Sequence, residues 1–190
     1  MRLFLAVFAS AAFFFVFHTA HAQNFTAIDP TTLVALSNAD RISNNYASLK
    51  VSPLLEKAAM KKAQDMARGE YFSHTSPAGV TPWYWFRDVG YSYAYAGENL
   101  AIDFSDSQSV EAAWMNSKLH RENILNGHYT EIGMAVLKGT YQGRETTYIV
   151  ELFGKPFPAP LASKSKKITK ARQVAALEPK AVKAKLLSRI

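Results

Sequence analysis

Two period-two segments near the end of this chain, Thr130 to Leu137 and Thr146 to Phe153, constrain its fold more than any other feature. They are separated by Lys138-Gly139-Thr140-Tyr141-Gln142-Gly143-Arg144, a loop whose glycines suit a hairpin. A two-stranded ribbon is not stable alone, so the chain must supply at least one more strand and apolar cover. The segment from Tyr95 to Ile102 is the candidate third strand, which would complete a small antiparallel sheet.

The cover comes from helices written before and between the strands. Leu33, Leu36, Ile42, Tyr46 and Leu49 recur at roughly helical spacing and predict a first helix. Ser52-Pro53 then sets an N-cap before proline, and Gly69 supplies the stop. Between them Leu55, Ala59, Ala63 and Met66 form an apolar stripe, with Glu56, Lys57, Lys61, Lys62 and Asp65 expected to face water. Thr81-Pro82 repeats the cap-plus-proline start, and Trp83, Trp85 and Phe86 follow before Gly90 as a core-covering helix or a ligand platform. Gly90 to Tyr95 reads as an exposed aromatic loop. A third long helix, from Ser107 or Ser109 to Ser117, places Val110, Ala113 and Trp114 on one side.

With 190 residues, 48% of them hydrophobic, there is enough apolar material for one core and one domain. The ends lie outside it. Met1-Arg2, the apolar run from Leu3 to Phe17 and Ala20-His21-Ala22 have the form of a signal peptide cleaved after Ala22. The alternative, an uncleaved anchor, needs about 20 apolar residues, and the run is shorter. The absence of cysteine, joined to that signal, points to bacterial export, periplasmic or extracellular. Residues 155–190 open on a Pro-rich linker and carry ten Lys or Arg against Glu178, a net +9 that leaves −2 for the remainder. The folded part therefore offers no basic face, which excludes a nucleic-acid reading, whereas the tail suits an anionic envelope surface.

Chemistry-bearing residues gather in three blocks: Phe72-Ser73-His74-Thr75-Ser76-Pro77, Gly97-Glu98-Asn99-Leu100-Ala101, and the run from Trp114 to Gly133. In order, these blocks resemble the CAP superfamily (cysteine-rich secretory, antigen 5 and pathogenesis-related 1 proteins), in particular its cysteine-free bacterial branch. The resemblance covers about Leu33 to Gly154. It implies an α+β fold, an α/β/α sandwich whose small antiparallel sheet is covered by helices on both faces, spanning residues 23–154. It also implies a cleft lined by two His and two Glu, which in some members binds a divalent metal.

The family's first histidine matches His74, its Gly-Glu-Asn glutamate Glu98, and its Gly-His-Tyr-Thr histidine His128. The second glutamate falls at Ser117, with Glu111 one turn earlier or His120 as substitutes. The expected ligand cleft is thus lined by His74, Glu98, Ser117, His120 and His128, with Glu131 as a further candidate. Two imidazoles and a carboxylate from His74, Glu98 and His128 suit a borderline ion such as zinc. Other polar residues have local explanations: Arg121 and Glu122 as ion-pair or capping partners, Asn99 and Asn123 as buried amides serving loop backbone, and Glu131 as a partner for Arg121 or a cleft residue.

There is no Gly-x-Ser-x-Gly, no His-Glu-x-x-His and no glycine-rich phosphate loop. The leading expectation is an exported domain that binds a lipid, an envelope glycan or a peptide in its cleft, with or without a divalent metal. The alternatives are a metal-dependent hydrolase or peptidase with Glu98 as catalytic base, and a structural envelope protein tethered by its tail.

Overall fold

A computed structural model describes residues 27–158. The signal-peptide reading and the tail beyond Pro158 lie outside those residues. The element order is α1 (Pro30–Ser43), β1 (Lys50–Val51), α2 (Pro53–Arg68), α3 (Pro82–Asp88), β2 (Tyr93–Ile102), α4 (Ser107–Asn116), α5 (Lys118–Ile124), β3 (Glu131–Tyr141) and β4 (Arg144–Pro156). The four strands form one sheet in the order β1-β3-β4-β2.

Each side of the sheet carries its own core, because successive strand residues point to opposite faces. Tyr148, Val150 and Leu152 of β4 meet Leu55, Ala59 and Met66 of α2 and Trp85 and Phe86 of α3. Ile149 and Phe153 meet Leu33 of α1, Val110 and Trp114 of α4 and Ile124 of α5. This is the α/β/α sandwich. Gly133 explains how closely the first layer sits: a Cβ there would lie 2.2 Å from the Leu55 carbonyl carbon, so α2 rests directly on the β3 backbone.

Local chemistry sets the element ends. Asp29 caps α1 through a 2.7 Å bond from the Thr32 amide, and Asp106 caps α4 through one from Ser109. Pro30, Pro53 and Pro82 each open a helix where the missing amide hydrogen costs nothing.

Several details depart from the sequence reading. The first helix ends at Ser43, leaving Ile42 and Tyr46 exposed; its inward stripe is Leu33, Ser37 and Arg41. Lys62, expected in water, is fully buried. Tyr91 is buried too, and β2 already begins at Tyr93, so no aromatic loop exists there. The hairpin strands run on through most of the expected loop, which shrinks to Gln142-Gly143; positive φ at both (51° and 73°) matches the right-handed twist of the strands. Finally, β1 pairs with β3 in parallel, so the otherwise antiparallel sheet gains a short parallel edge.

Candidate functional site

The site lies along β2, an edge strand of the sheet. Edge strands expose unpaired backbone groups, and proteins cover them. Here side chains from the Trp114-to-Gly133 run do so at alternate residues. Tyr129 OH donates to the Ala96 carbonyl at 3.2 Å, Asn123 Nδ2 to Glu98 at 3.1 Å, and Trp114 Nε1 to Leu100 at 3.1 Å. Gly97 is required by this arrangement, since a Cβ there would stand 2.4 Å from the Tyr129 hydroxyl.

Glu98 and Asn99 point to opposite faces. Asn99 faces α4 and α5, where its Nδ2 donates to the His120 carbonyl at 3.2 Å and to Glu151 Oε2 at 2.9 Å, while its Oδ1 accepts from Asn123. Asn99 is thus the buried amide expected, whereas Asn123 is only half-buried. Glu98 turns toward α2 and the Phe72-Ser73-His74 loop. Its Oε1 lies 2.7 Å from His74 Nδ1, and its side chain is only 2% exposed against 57% for the imidazole. Its Oε2 is shut off from solvent and has no hydrogen-bond partner.

Lys62 holds this loop from below. Its Nζ donates to the carbonyls of Ser73 (2.8 Å) and His74 (2.9 Å) and to the Tyr71 hydroxyl (3.3 Å). Sequence reasoning missed it, although the spacing 55, 59, 62, 66 places Lys62 on the apolar stripe of α2. Burial pushes the Glu98 carboxyl above its ordinary range, while the His74 bond and the Lys62 charge pull against that rise. Burial lowers Lys62 in turn, opposed by Glu98 and Asp65. His120 is lowered by burial and, to a lesser degree, by the charge of His74.

The structure therefore brings together His74 and Glu98, while His120 is tied to the strand through its carbonyl, which accepts from Asn99. The other candidates stand elsewhere. His128 is exposed and stacks on Tyr95, ring centroids 4.4 Å apart and 4° from parallel; Tyr95 shares its face of β2 with Gly97 and Asn99, away from Glu98. Ser117 marks the break between α4 and α5, with extended backbone. Glu131 accepts from Tyr91 OH at 2.9 Å, and Arg121 donates to the Met115 carbonyl instead of to Glu131. Glu122 pairs loosely with Lys118, one helical turn away.

Glu111 lies in the core, bonded to Ser37 and not to His74 or Glu98. The Ser37 hydroxyl bridges Glu111 Oε2 and Glu151 Oε1, each at 2.9 Å. Among the described residues no three His, Asp or Glu side chains are arranged to hold a metal ion. His74, Glu98 and His128 are thus not drawn together as the expected three-ligand set.

A family model described as the cysteine-rich secretory protein family, CAP, matches residues 34–153. The chain belongs to the CAP family. This CAP domain is 37% identical to the uncharacterized protein YkwD of Bacillus subtilis (strain 168) over 127 residues, 63% of the chain and 49% of that protein. It superposes on an outer surface protein of Borrelia burgdorferi with a TM-score of 0.60 at 28% identity, covering 67% of this chain and 92% of that one. An extracellular SCP-domain protein of Bacillus anthracis gives 0.57 at 28% identity, over 66% of this chain and 40% of that one. The chain spans about half or less of the length of the curated relatives it matches.

Proposed function

We propose that this CAP domain is exported and that its cleft binds an envelope glycan or peptide through the Glu98 carboxyl group. One observation carries the reading: a carboxyl whose Oε1 is held by His74 and whose Oε2 is buried without a partner. Evolution of a fold tolerates such a group where something else completes it, since an unpartnered buried polar atom costs about 1–3 kcal/mol. The imidazole above is more than half exposed and can swing aside, admitting a hydroxyl or amide donor to Oε2. The half-exposed His74 imidazole over the carboxyl favours a polar ligand over a bare hydrocarbon chain. Export is supported by the extracellular and outer-surface proteins among the structural relatives.

The metal-dependent hydrolase has less support, because its third ligand, His128, is engaged by Tyr95. The test is a titration of soluble muropeptides, which carry both glycan and peptide donors, followed by calorimetry and by the imidazole resonances of His74 and His120. Binding that weakens about tenfold or more in Glu98→Gln, in line with the loss of a charge-assisted hydrogen bond, supports the reading. Equal binding in the variant, or none in the parent, overturns it.

A further inference from the structure

At the end of the sheet where β2 starts and β4 finishes, aromatic side chains stand in water. Trp83, Tyr95 and Phe157 are 38%, 42% and 58% exposed. They form one rim. Trp83 packs beside Tyr93 at 6.3 Å, Tyr93 pairs in register with Pro156, and the Phe157 amide donates to the Ser92 carbonyl. Tyr95 pairs with Lys155, whose Nζ sits 6.0 Å from its ring centroid, and His128 stacks on the same ring. Lys50 opens β1 at the same end, opposite Glu131, an acid already engaged by Tyr91. A bulge between Tyr93 and Tyr95 lets neighbouring aromatics occupy both faces of the sheet.

The chain leaves the fold at this rim. From Lys155 to Ile190 it carries ten basic residues and one acid, whereas the rest of the sequence is net −2. Amphipathic rings that combine an apolar body with a polar tip settle at the headgroup level of a bilayer, and adjacent lysines add attraction to anionic lipid. Either signal alone gives marginal, reversible attachment; the two together give stable peripheral binding.

We propose that Trp83, Tyr95, Phe157 and Lys155 form a docking face for an anionic lipid bilayer, and that the basic tail leaving this rim is the second half of the same device. The proposal is independent of what the cleft binds. It does fix the cleft's orientation, since Tyr95 lies three residues before Glu98 on one strand.

The test uses the chain from Gln23 to Ile190, which keeps every described element and omits the apolar leader. Vesicles of phosphatidylglycerol and phosphatidylcholine in equal amounts are compared with phosphatidylcholine alone by sedimentation. The parent is expected to bind the anionic vesicles and to release them as salt rises. Replacing Trp83, Tyr95 and Phe157 together by serine, all exposed positions, should reduce partitioning at least about tenfold at unchanged circular dichroism. Replacing Lys164, Lys166, Lys167 and Lys170 by serine should reduce it about fivefold per charge that reaches the surface.

A second readout needs no variant. Of the three tryptophans, Trp85 and Trp114 are buried, so a blue shift and quenching by brominated lipid report Trp83. The proposal is overturned by equal partitioning of the serine triple variant, by equal binding to both vesicle types, or by unchanged Trp83 emission. Binding to insoluble cell-wall polymer without vesicle binding overturns it as well.

Discussion

The Ser37 bridge between Glu111 and Glu151 makes a demand that can be worked through to a measurement. A hydroxyl carries one proton and cannot donate to two carboxylates, so one carboxyl must itself be protonated and donate to Ser37 Oγ. Surroundings decide which. Burial raises Glu151 only to about 7, because bonds from Ser37 and Asn99 and the charge of buried Arg41 favour its anion. Burial lifts Glu111 further, to about 9, assisted by the charges of Glu151 and Asp40. Glu111 therefore keeps the proton at neutral pH.

The unfolded chain releases that proton near the ordinary value of 4.5. Between there and about 9 the folded state binds more protons than the unfolded one, so stability falls as pH rises. Each unit within the window is about 1.4 kcal/mol, a total on the order of 4 kcal/mol between about pH 5 and pH 8. That is a large part of the roughly 5–15 kcal/mol a domain possesses. Glu111→Gln copies the shape of the protonated carboxyl and cannot ionise. Urea unfolding followed by the fluorescence of buried Trp114 should show wild type losing ground to this variant by about 1 kcal/mol per pH unit. Parallel stability profiles for the two proteins from pH 5 to pH 8 would refute the assignment of the proton to Glu111.

Lys62→Met should strand the Ser73 and His74 carbonyls, cost about 1–3 kcal/mol, and speed amide exchange across residues 71–76 by mass spectrometry. Gly133→Ala should lose about 3 kcal/mol or more, read as a lowered melting temperature, because its Cβ meets the α2 backbone rather than a movable side chain. Gly97→Ala should cost about 1–3 kcal/mol and be partly rescued by Tyr129→Phe, which removes the colliding oxygen. Calorimetric zinc titrations of wild type and His128→Ala should superimpose; a weaker isotherm in the variant contradicts the placement of His128 on Tyr95 and away from Glu98.

The layers were legible because they follow from period. Leu55, Ala59, Ala63 and Met66 repeat at helical spacing, and all four are buried where the stripe predicts. What escaped was polar burial. Lys62 lies on that same stripe, Ser37 and Arg41 continue from Leu33 at intervals of four, and Glu151 interrupts the apolar run Ile149 to Phe153. A charged residue on an apolar face is usually read as an edge of the face, since its burial needs partners that only the tertiary structure supplies. The candidate site suffered in the same way. His74 and Glu98 come together across 24 residues, but the motif's order along the chain does not say that Tyr95 claims His128.

The fold also divides the family motif into residues with a structural role and residues without one. Trp114, Asn123 and Tyr129 each cap a carbonyl of the edge strand, at residues 100, 98 and 96. Gly97 is small because Tyr129 must pass, and Asn99 links Asn123, His120 and Glu151. These assignments account for the tryptophan, both asparagines, the glycine and the tyrosine by the need to close a sheet edge. Glu98 and His74 remain. Neither carries the edge, and a carboxyl buried with one oxygen unpartnered destabilises what it sits in. Replacing Glu98 by Gln should therefore cost less melting temperature than replacing Asn99, Asn123 or Tyr129, its cost being the loss of the charge set near buried Lys62. A loss of stability at Glu98 equal to that at Asn99 would make Glu98 one more structural residue and remove the reason for placing a ligand there.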